Sequence, residues 1–525
     1  MKQIYSYLSN KIKGVEKRFS IAIILFAVAL IIGTFTYQSY GISWDEGYSQ
    51  KIGMVSYNYL FHGDKSLDDF ECRDYGVAFE LPLIILEKIL RLNDFASIYL
   101  MRHFVTHLFF LLSAFALFLL IEYLYKDKLL ATLGFFFLVL NPLIYGHSFF
   151  NSKDVPSMSM HIFCYLLAAI AFNKNKTIWY VLLGIACGLL TNMRIMGILF
   201  IFSILFLFFI DFIVSRKNKA EAQKIVKFSL IFIFFVSFTL YISWPYLYLH
   251  PYLNMKIAFM NMARFRWQGT MLFWGKTIVS THLRWDYAIT WFLISNPIIY
   301  LATGFTGLGL ILYNLISHPL DLFLNKLQRN NLLYLVGFTV PLISVIVLHS
   351  ILYDAWRHLY FIYPSFILLG IYGLNKLFKT KAKISIVIIL FASFGFTGYY
   401  MVSNYPFQHV YFNQFVSNDE PEKIRKTFDL DYWGTSYQRG TEYILQTDTS
   451  SLITVIYKPS QPASELFVFH PNDRKRFKVT NDIKEADYVL TNYRDHPQDF
   501  PYPKSREYYS IKVMNNSILT VFKIK

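Results

Sequence analysis

The sequence predicts a polytopic α-helical membrane protein with a small water-soluble α/β domain at its C-terminal end, and three observations carry that prediction. Hydrophobic residues fill 55% of the 525 positions and charged residues only 16%, a balance outside that of soluble globular chains. The apolar residues gather in stretches of about 17–25, the helix length that crosses roughly 30 Å of hydrocarbon. The stretches stop near residue 402, and the remainder of the chain reads as short strands with one helix.

Eleven spans are predicted, at about 20–40, 100–124, 129–147, 155–173, 177–193, 195–215, 227–247, 290–316, 332–350, 359–378 and 384–402. The first comes after a basic head (Lys2, Lys11, Lys13, Lys17, Arg18) and lacks a small-x-small cleavage site, so it is read as an uncleaved anchor. Basic residues then cluster in alternate connections: Lys126 and Lys128, Lys174 and Lys176, Arg216 to Lys227, Lys326 and Arg329, and Lys376 to Lys383. The short connections between them hold only Lys153, Arg194 and Arg357. This asymmetry places the N-terminus in the cytoplasm and the C-terminal domain on the opposite side. The net charge of +16 sits mostly in those clusters, where it faces anionic lipid, which makes nucleic acid a poor partner. With Cys164 and Cys187 in spans and Cys72 outside them, no disulfide or zinc framework can be drawn.

Two extracytoplasmic connections are long, about 41–99 and 248–289, and long loops in compact proteins tend to carry function. The first contains an amphipathic stretch, Val77 to Leu92, with Glu80, Glu87, Lys88 and Arg91 among Leu and Ile, expected to lie along the interface. The second is rich in Trp, Tyr, Arg and His. Residues 1–402, with both loops, form the predicted transmembrane catalytic domain, and 403–525 the soluble extracytoplasmic one. In the latter, strands are expected at 452–457, 466–469, 488–490, 508–513 and 517–522, with a hairpin turn at Asn515-Asn516 and a helix over 436–446.

Ionisable residues at the outer ends of spans are costly unless they meet water or one another, so the chemistry is sought there. Asp45 and Glu46, in Gly41-Ile42-Ser43-Trp44-Asp45-Glu46-Gly47, come directly after the first span; a carboxylate at such a boundary can act as a base or hold a cation, or can simply begin a solvated loop. The run Asn141 to Pro156 is a short hairpin carrying His147, Lys153 and Asp154, with Asp154 also expected to cap the next helix ahead of Pro156. Tyr353-Asp354-Ala355-Trp356-Arg357-His358 offers a guanidinium fork suited to phosphate or carboxylate, or a snorkelling Arg in an aromatic belt. Arg194 stands at another outer span end, free for the same task or for a salt bridge with a first-loop carboxylate. Such carboxylates and cations on one face suit a lipid phosphate leaving group, a basic carboxylate and a divalent metal.

The order of these parts resembles the GT-C superfamily of integral membrane glycosyltransferases, in particular its bacterial branch related to protein O-mannosyltransferases and the lipid A aminoarabinose transferase. The residues that carry the resemblance are Trp44-Asp45-Glu46 after span one, His147 to Asp154 after span three and Tyr353 to His358 before span ten, with Tyr405 to Asn413 and Asp431-Tyr432-Trp433-Gly434 further on. It covers about residues 15–435. The resemblance implies a multi-pass enzyme of the bacterial inner (plasma) membrane that moves a sugar from a polyprenyl-phosphate donor, with inversion, to a glycan, lipid or protein acceptor of the cell envelope. It implies Asp45 as base, Glu46 as supporting carboxylate and Asp154 as a second acid that orients the acceptor or binds metal. Arg357, His358 and Arg194, assisted by Lys153, would neutralise the departing phosphate, while His147, Asp354 and Tyr353 would contact the acceptor or support the site. No cofactor is assigned. A Mg or Mn ion on Asp45 and Asp154 stays open, although Ser152-Lys153-Asp154 stands where an Asp-x-Asp would, and the Lys weighs against it. Two other classes compete: a transporter or flippase, which would show inverted repeats and helices broken at mid-membrane, and a non-catalytic envelope-assembly scaffold, which needs no base. The sequence does not name the sugar or the acceptor.

Overall fold

The computed structural model describes residues 20–263, 267–416, 420–460, 465–498 and 502–525; the basic head from Lys2 to Arg18 lies outside the described residues. All eleven predicted spans are helical. Among the described residues eight helices are long and apolar enough to cross a membrane alone, from Ser20–Ser39 to Lys383–Ser403, and a ninth is the pair Lys128–Val139 and Pro142–Phe150, bent by 63°. The other two are shorter, Thr177–Met193 with 17 residues and Tyr363–Leu377 with 15. Tyr363–Leu377 is a centre-of-bundle helix, buried at every position from Tyr363 to Leu374.

Helix ends reflect local chemistry. Asp94 opens Phe95–Tyr125 by accepting from the Ser97 N–H at 2.9 Å, and Asp127 opens the next helix by accepting from the Leu129 and Leu130 N–H groups. Lys126 and Asn175 end helices in the left-handed conformation. The bent span breaks at Asn141-Pro142: the Asn141 side chain accepts from the Ile144 N–H, and Pro142 takes the first helical position, where no N–H is needed. At Asp154–Lys174 the expectation is corrected. Asp154 makes no cap bond of its own; Asn151 Oδ1 accepts from the Asp154 N–H at 2.8 Å, which leaves the Asp154 carboxylate free for other partners.

The connections after alternate spans gather at one end of the bundle. There the Trp44 N–H donates to the Trp433 carbonyl, the Ala78 N–H to the Asn192 side chain, and the Leu272 N–H to Asp429. Among these connections the Val77 to Leu92 stretch departs from the interfacial helix expected: its helix, Glu80–Ile89, turns Glu80, Leu83, Ile84 and Glu87 inward. Arg102, about two turns inside an apolar span, explains the inversion by pairing with both Glu80 and Glu87. A buried guanidinium needs carboxylates more than the helix needs a charged outer face.

The C-terminal domain is a five-stranded sheet in the order β4-β3-β5-β7-β6, built from β3 (Ile453–Lys458), β4 (Phe477–Val479), β5 (Tyr488–Thr491), β6 (Glu507–Val513) and β7 (Asn516–Lys523). A separate hairpin, β1 (Thr270–Phe273) with β2 (Lys276–Val279), lies in the 248–289 connection. β3 runs parallel to β4 and β5, and β7 antiparallel to β5 and β6. The helix Tyr437–Thr447 contributes Tyr437 and Ile444 to the apolar face of Ile453, Val455, Leu490, Leu519 and Val521. Two details differ from the sequence reading. Residues 466–469 fall in and just after a 3-10 turn, Glu465–Val468, and the edge strand is instead Phe477–Val479. The β6–β7 turn is Met514-Asn515, both at positive φ as a tight two-residue hairpin requires, with Asn516 already paired to Val513. Ahead of the sheet, Phe407, Tyr411, Phe412, Phe428, Tyr432 and Trp433 pack into the buried apolar cluster of the helices.

One helix contact leaves no room for side chains. Ile298–Ser317 crosses Tyr363–Leu377 through Gly304, Gly307, Gly370 and Gly373, and a Cβ on Gly307 would lie 1.8 Å from the Leu369 carbonyl oxygen. Gly307→Leu is expected to destabilise the detergent-solubilised protein by about 3 kcal/mol, whereas Gly309→Ala, where nothing lies within 4 Å, should be neutral or stabilising. Thermal unfolding of both variants checks this; equal behaviour would show that the helices do not touch at Gly307.

Candidate active site

The first connection is shaped before it carries any chemistry. Tyr40 stacks on Phe149 with ring centroids 4.0 Å apart, and a Cβ on Gly41 would meet the Thr435 carbonyl at 2.2 Å, so the chain passes here only because residue 41 has no side chain. Glu46 then folds back on its own loop. One of its oxygens accepts from the Ser43 N–H at 2.7 Å and the other meets His103 Nε2 at 2.8 Å. Glu46 is 2% exposed and is absent from the cleft wall, so it fixes the loop and does not face substrate.

Asp45, one residue earlier, points the other way. Its side chain is 32% exposed and faces a cavity of about 320 Å³ at the loop end of the bundle. Lys153, Arg194 and Tyr353 line the same cavity, with Tyr48, Asp74 and Tyr75 from the first connection and Trp244, Asn261 and Trp267 from and just ahead of the second. Asp45 Oδ2 lies 3.2 Å from Arg357 Nη1 and 4.0 Å from Lys153 Nζ. Burial pushes the Asp45 carboxyl up, but Lys153 and Arg357 together outweigh it and hold the group below its ordinary 3.8.

Arg357 is the hub of the cluster. At 2% exposure it sits behind the cavity wall, with Nη1 between Asp45 and Asp154, 3.2 and 3.4 Å away, and Nη2 3.3 Å from Asp354. Its guanidinium is sandwiched between the Tyr353 ring at 4.6 Å and the Trp433 ring at 4.5 Å. Asp354 and Ala355 both adopt positive φ, 55° and 63°, an unusual pair for residues with side chains, which presents Asp354 to the Arg three positions on. Asp154 is buried; Arg194 pairs with Oδ1, and Asn151 donates to Oδ2 at 3.0 Å beside Arg357.

Two predicted residues, His147 and His358, are not among those that line the cavity. His147 is fully buried away from the cavity: Trp433 Nε1 donates to its Nε2 at 3.0 Å, and its Nδ1 lies 2.8 Å from the Tyr360 hydroxyl. It therefore supports the Trp433 ring over Arg357. His358 packs edge-on against Tyr353, and burial, reinforced by Arg357, pushes its imidazole well below the usual range.

The cations nearest the cavity are Lys153 and Arg194. Arg194 Nε and Trp244 Nε1, both on cavity-lining residues, have no hydrogen-bond partner among the described residues. Both atoms are themselves buried, behind the surface that those residues present to the cavity. The carboxylates do not suit a Mg or Mn ion. Both oxygens of Asp154 face guanidinium groups, and Asp45 shares its inner oxygen with Arg357 and Lys153, so a divalent cation would sit among three positive charges.

Sequence reasoning missed Trp433 as the cover of Arg357, the aromatic wall of Trp244 and Trp267, and the buried pairs behind the loop. Arg102 and His103 stand out in retrospect, because ionisable residues inside an apolar span demand partners.

Comparison with known proteins bears on the fold. Residues 88–244 match the dolichyl-phosphate-mannose-protein mannosyltransferase family. The oligosaccharyltransferase of Archaeoglobus fulgidus, solved with a tethered acceptor peptide containing the NVT sequon, superposes with a TM-score of 0.52 at 11% identity over 91% of this chain and 69% of that one. AglB from the same organism, in complex with an inhibitory peptide and a dolichol-phosphate, gives 0.49 at 10% identity over 90% and 70%. ArnT from Cupriavidus metallidurans, bound to undecaprenyl phosphate, gives 0.46 at 9% identity over 97% and 98%. No curated protein matches the chain. The chain is a multi-pass membrane protein with the fold of the Archaeoglobus fulgidus oligosaccharyltransferase.

The depressed proton affinity of Asp45 has a measurable sign. A carboxyl that binds its proton less well when folded stabilises the fold above its unfolded value, and loses that contribution as pH falls through its lower folded value. Thermal midpoints of the wild type and Asp45→Asn are expected to differ by a constant amount above a pH of about 4.5 and to converge further down. Convergence already at neutral pH would mean that Asp45 is not held by Lys153 and Arg357.

Proposed function

We propose that this protein is a membrane glycosyltransferase that moves a sugar from a polyprenyl-phosphate donor to a hydroxyl-bearing glycan, lipid or protein acceptor, with Asp45 as the base. The observation that carries the reading is the cavity itself, where a partly exposed carboxylate and two cations line one space at the end of a helix bundle. The match to a family named for dolichyl-phosphate-mannose supports the donor class, and the GT-C fold supports the placement of such a site between connecting loops.

In this reading the isoprenoid lies in hydrocarbon and its phosphate sits against Lys153 and Arg194. The acceptor hydroxyl gives its proton to Asp45 as its oxygen attacks the anomeric carbon from the face opposite the phosphate. The bond from that carbon to the phosphate oxygen breaks, the configuration inverts, and polyprenyl phosphate leaves with its charge balanced by Lys153 and Arg194. A base held by two cations is weak in the empty site. When the phosphate takes Lys153 as a partner, Asp45 loses part of that hold and its proton affinity rises. Arg357 keeps Asp45 and Asp154 in register throughout, and Asp154 keeps Arg194 at the cavity wall. Glu46, Asp354, Tyr353 and His147 hold this arrangement from behind or beside.

The basic connections away from the cavity orient the protein with its N-terminus in the cytoplasm and the cavity and C-terminal domain outside, in a bacterial inner membrane. An already activated, lipid-linked donor suits a compartment without nucleotide sugars.

Asp45→Asn is expected to lower turnover about 10²–10⁴-fold in protein that still accumulates in the membrane as the wild type does, read by mass spectrometry of envelope glycans in a deletion strain complemented with either form. An unaltered product would leave a flippase or scaffold and remove the base. Because Asp154 and Asp45 already hold cationic side chains, activity of the purified enzyme is expected to persist in chelator; its loss, restored by Mg or Mn, would overturn the metal-free arrangement.

A further inference from the structure

The loop after β5 reaches out of the sheet to the hub of the cavity. Within it the Asn492 side chain donates to the Asp431 carbonyl at 2.9 Å, and Arg494 Nη1 donates to the Tyr432 carbonyl, so the loop clasps the two residues that precede Trp433. Tyr437 fixes Asn492 in turn, its hydroxyl donating to Asn492 Oδ1 at 3.1 Å. From this anchored position Arg494 Nη2 reaches Asp354 Oδ1 at 2.8 Å, while Arg357 Nη2 takes the other oxygen, Oδ2, at 3.3 Å. Asp354 is thus divided between two guanidinium groups, and the closer one comes from the C-terminal domain. The side chains are 8% exposed for Asp354, 14% for Arg494 and 2% for Arg357, so water screens this chain of charges weakly.

We propose that Arg494 is a positioning residue for the cavity: by holding Asp354 to one side it leaves Arg357 free to grip Asp45 and Asp154, and so keeps Lys153 available to an incoming phosphate. The physical argument is competition among carboxylates for one fork. Arg357 has three acids around it, and a guanidinium fork serves two at good geometry. Without Arg494, Asp354 has Arg357 as its only remaining cation among those paired with it, and closes on it. The grip on Asp45 then slackens, Asp45 turns to Lys153, 4.0 Å away, and Lys153 is withdrawn from the cavity. The other groups facing Asp45 are Asp154, Tyr75, Tyr353 and His358; the first three cannot become cations, and burial together with Arg357 holds the His358 imidazole well below its ordinary range, so none supplies a replacement.

This inference rests on the cavity being a phosphate site, and one experiment separates the two. Undecaprenyl phosphate is titrated into the purified full-length protein in nanodiscs and followed by tryptophan fluorescence, since Trp244 and Trp267 line the cavity. The wild type is expected to bind, Arg494→Gln to bind about tenfold more weakly, Arg494→Lys to bind nearly as the wild type does, and Asp354→Asn in the Arg494→Gln background to recover most of the loss. If the wild type fails to bind, the phosphate reading falls and this inference with it. If it binds and Arg494→Gln binds equally well, the inference alone falls. Weak binding by Arg494→Gln that neither Lys nor the second substitution recovers would make Arg494 a purely structural tie, which also overturns it.

Discussion

The rest of the cavity depends on one buried guanidinium. Arg357 draws carboxylates from three connections, Asp45 after the first span, Asp154 at the start of the fourth and Asp354 on its own loop, across sequence separations of up to 312 residues. Burying such a charge is costly unless geometry and partners are both supplied, so the surrounding loops have little freedom to sit elsewhere. Gly41 passing under the Thr435 carbonyl, Glu46 stitching its loop to His103 and Asn151 freeing Asp154 from cap duty are local adjustments to that demand. Stability is a poor explanation for the cluster, since an apolar core would serve as well. Specifying one arrangement of loops on a helix bundle explains it better.

Much of this was legible in the sequence, and the parts that were not have identifiable causes. Spans follow from runs of apolar residues, because hydrocarbon imposes length and composition directly. The convergence of Asp45, Asp154, Arg194 and Arg357 follows from charge placed at alternate span ends. Burial reversed the reading where two charges pair across sequence: Glu80 and Glu87 look like the polar side of an interfacial helix until Arg102 is known to lie behind them. His147 has the polarity of a site residue, and only the approach of Trp433, 286 positions away, shows it to be a prop. In the C-terminal domain, residues 466–469 are as apolar as a strand, yet the sheet takes Phe477–Val479 as its edge because register with Ile453 to Val455 decides pairing.

The division of labour among the cations is also physical. Arg357, flat and stacked between Tyr353 and Trp433, is pre-organised and shielded, which suits orientation of carboxylates. Lys153 carries a compact charge on a flexible stem and sits at the open wall near the Tyr75 ring at 5.2 Å, which suits exchange of one anionic partner for another. An arginine at 153 and a lysine at 357 would invert these properties.

The Trp433 ring over Arg357 also has a consequence for the order in which the protein is made. Asp45 leaves the ribosome first and Arg357 only after nine of the predicted spans, while Trp433, which closes the guanidinium sandwich, comes after all of the predicted spans in chain order. Until that segment docks, the charged cluster lacks its lid, and the helices that carry it are already in the membrane. The nascent bundle therefore passes through a stage in which Arg357 has its carboxylates within reach but lacks the Trp433 ring that covers it. Completion of the chain is what closes that cover.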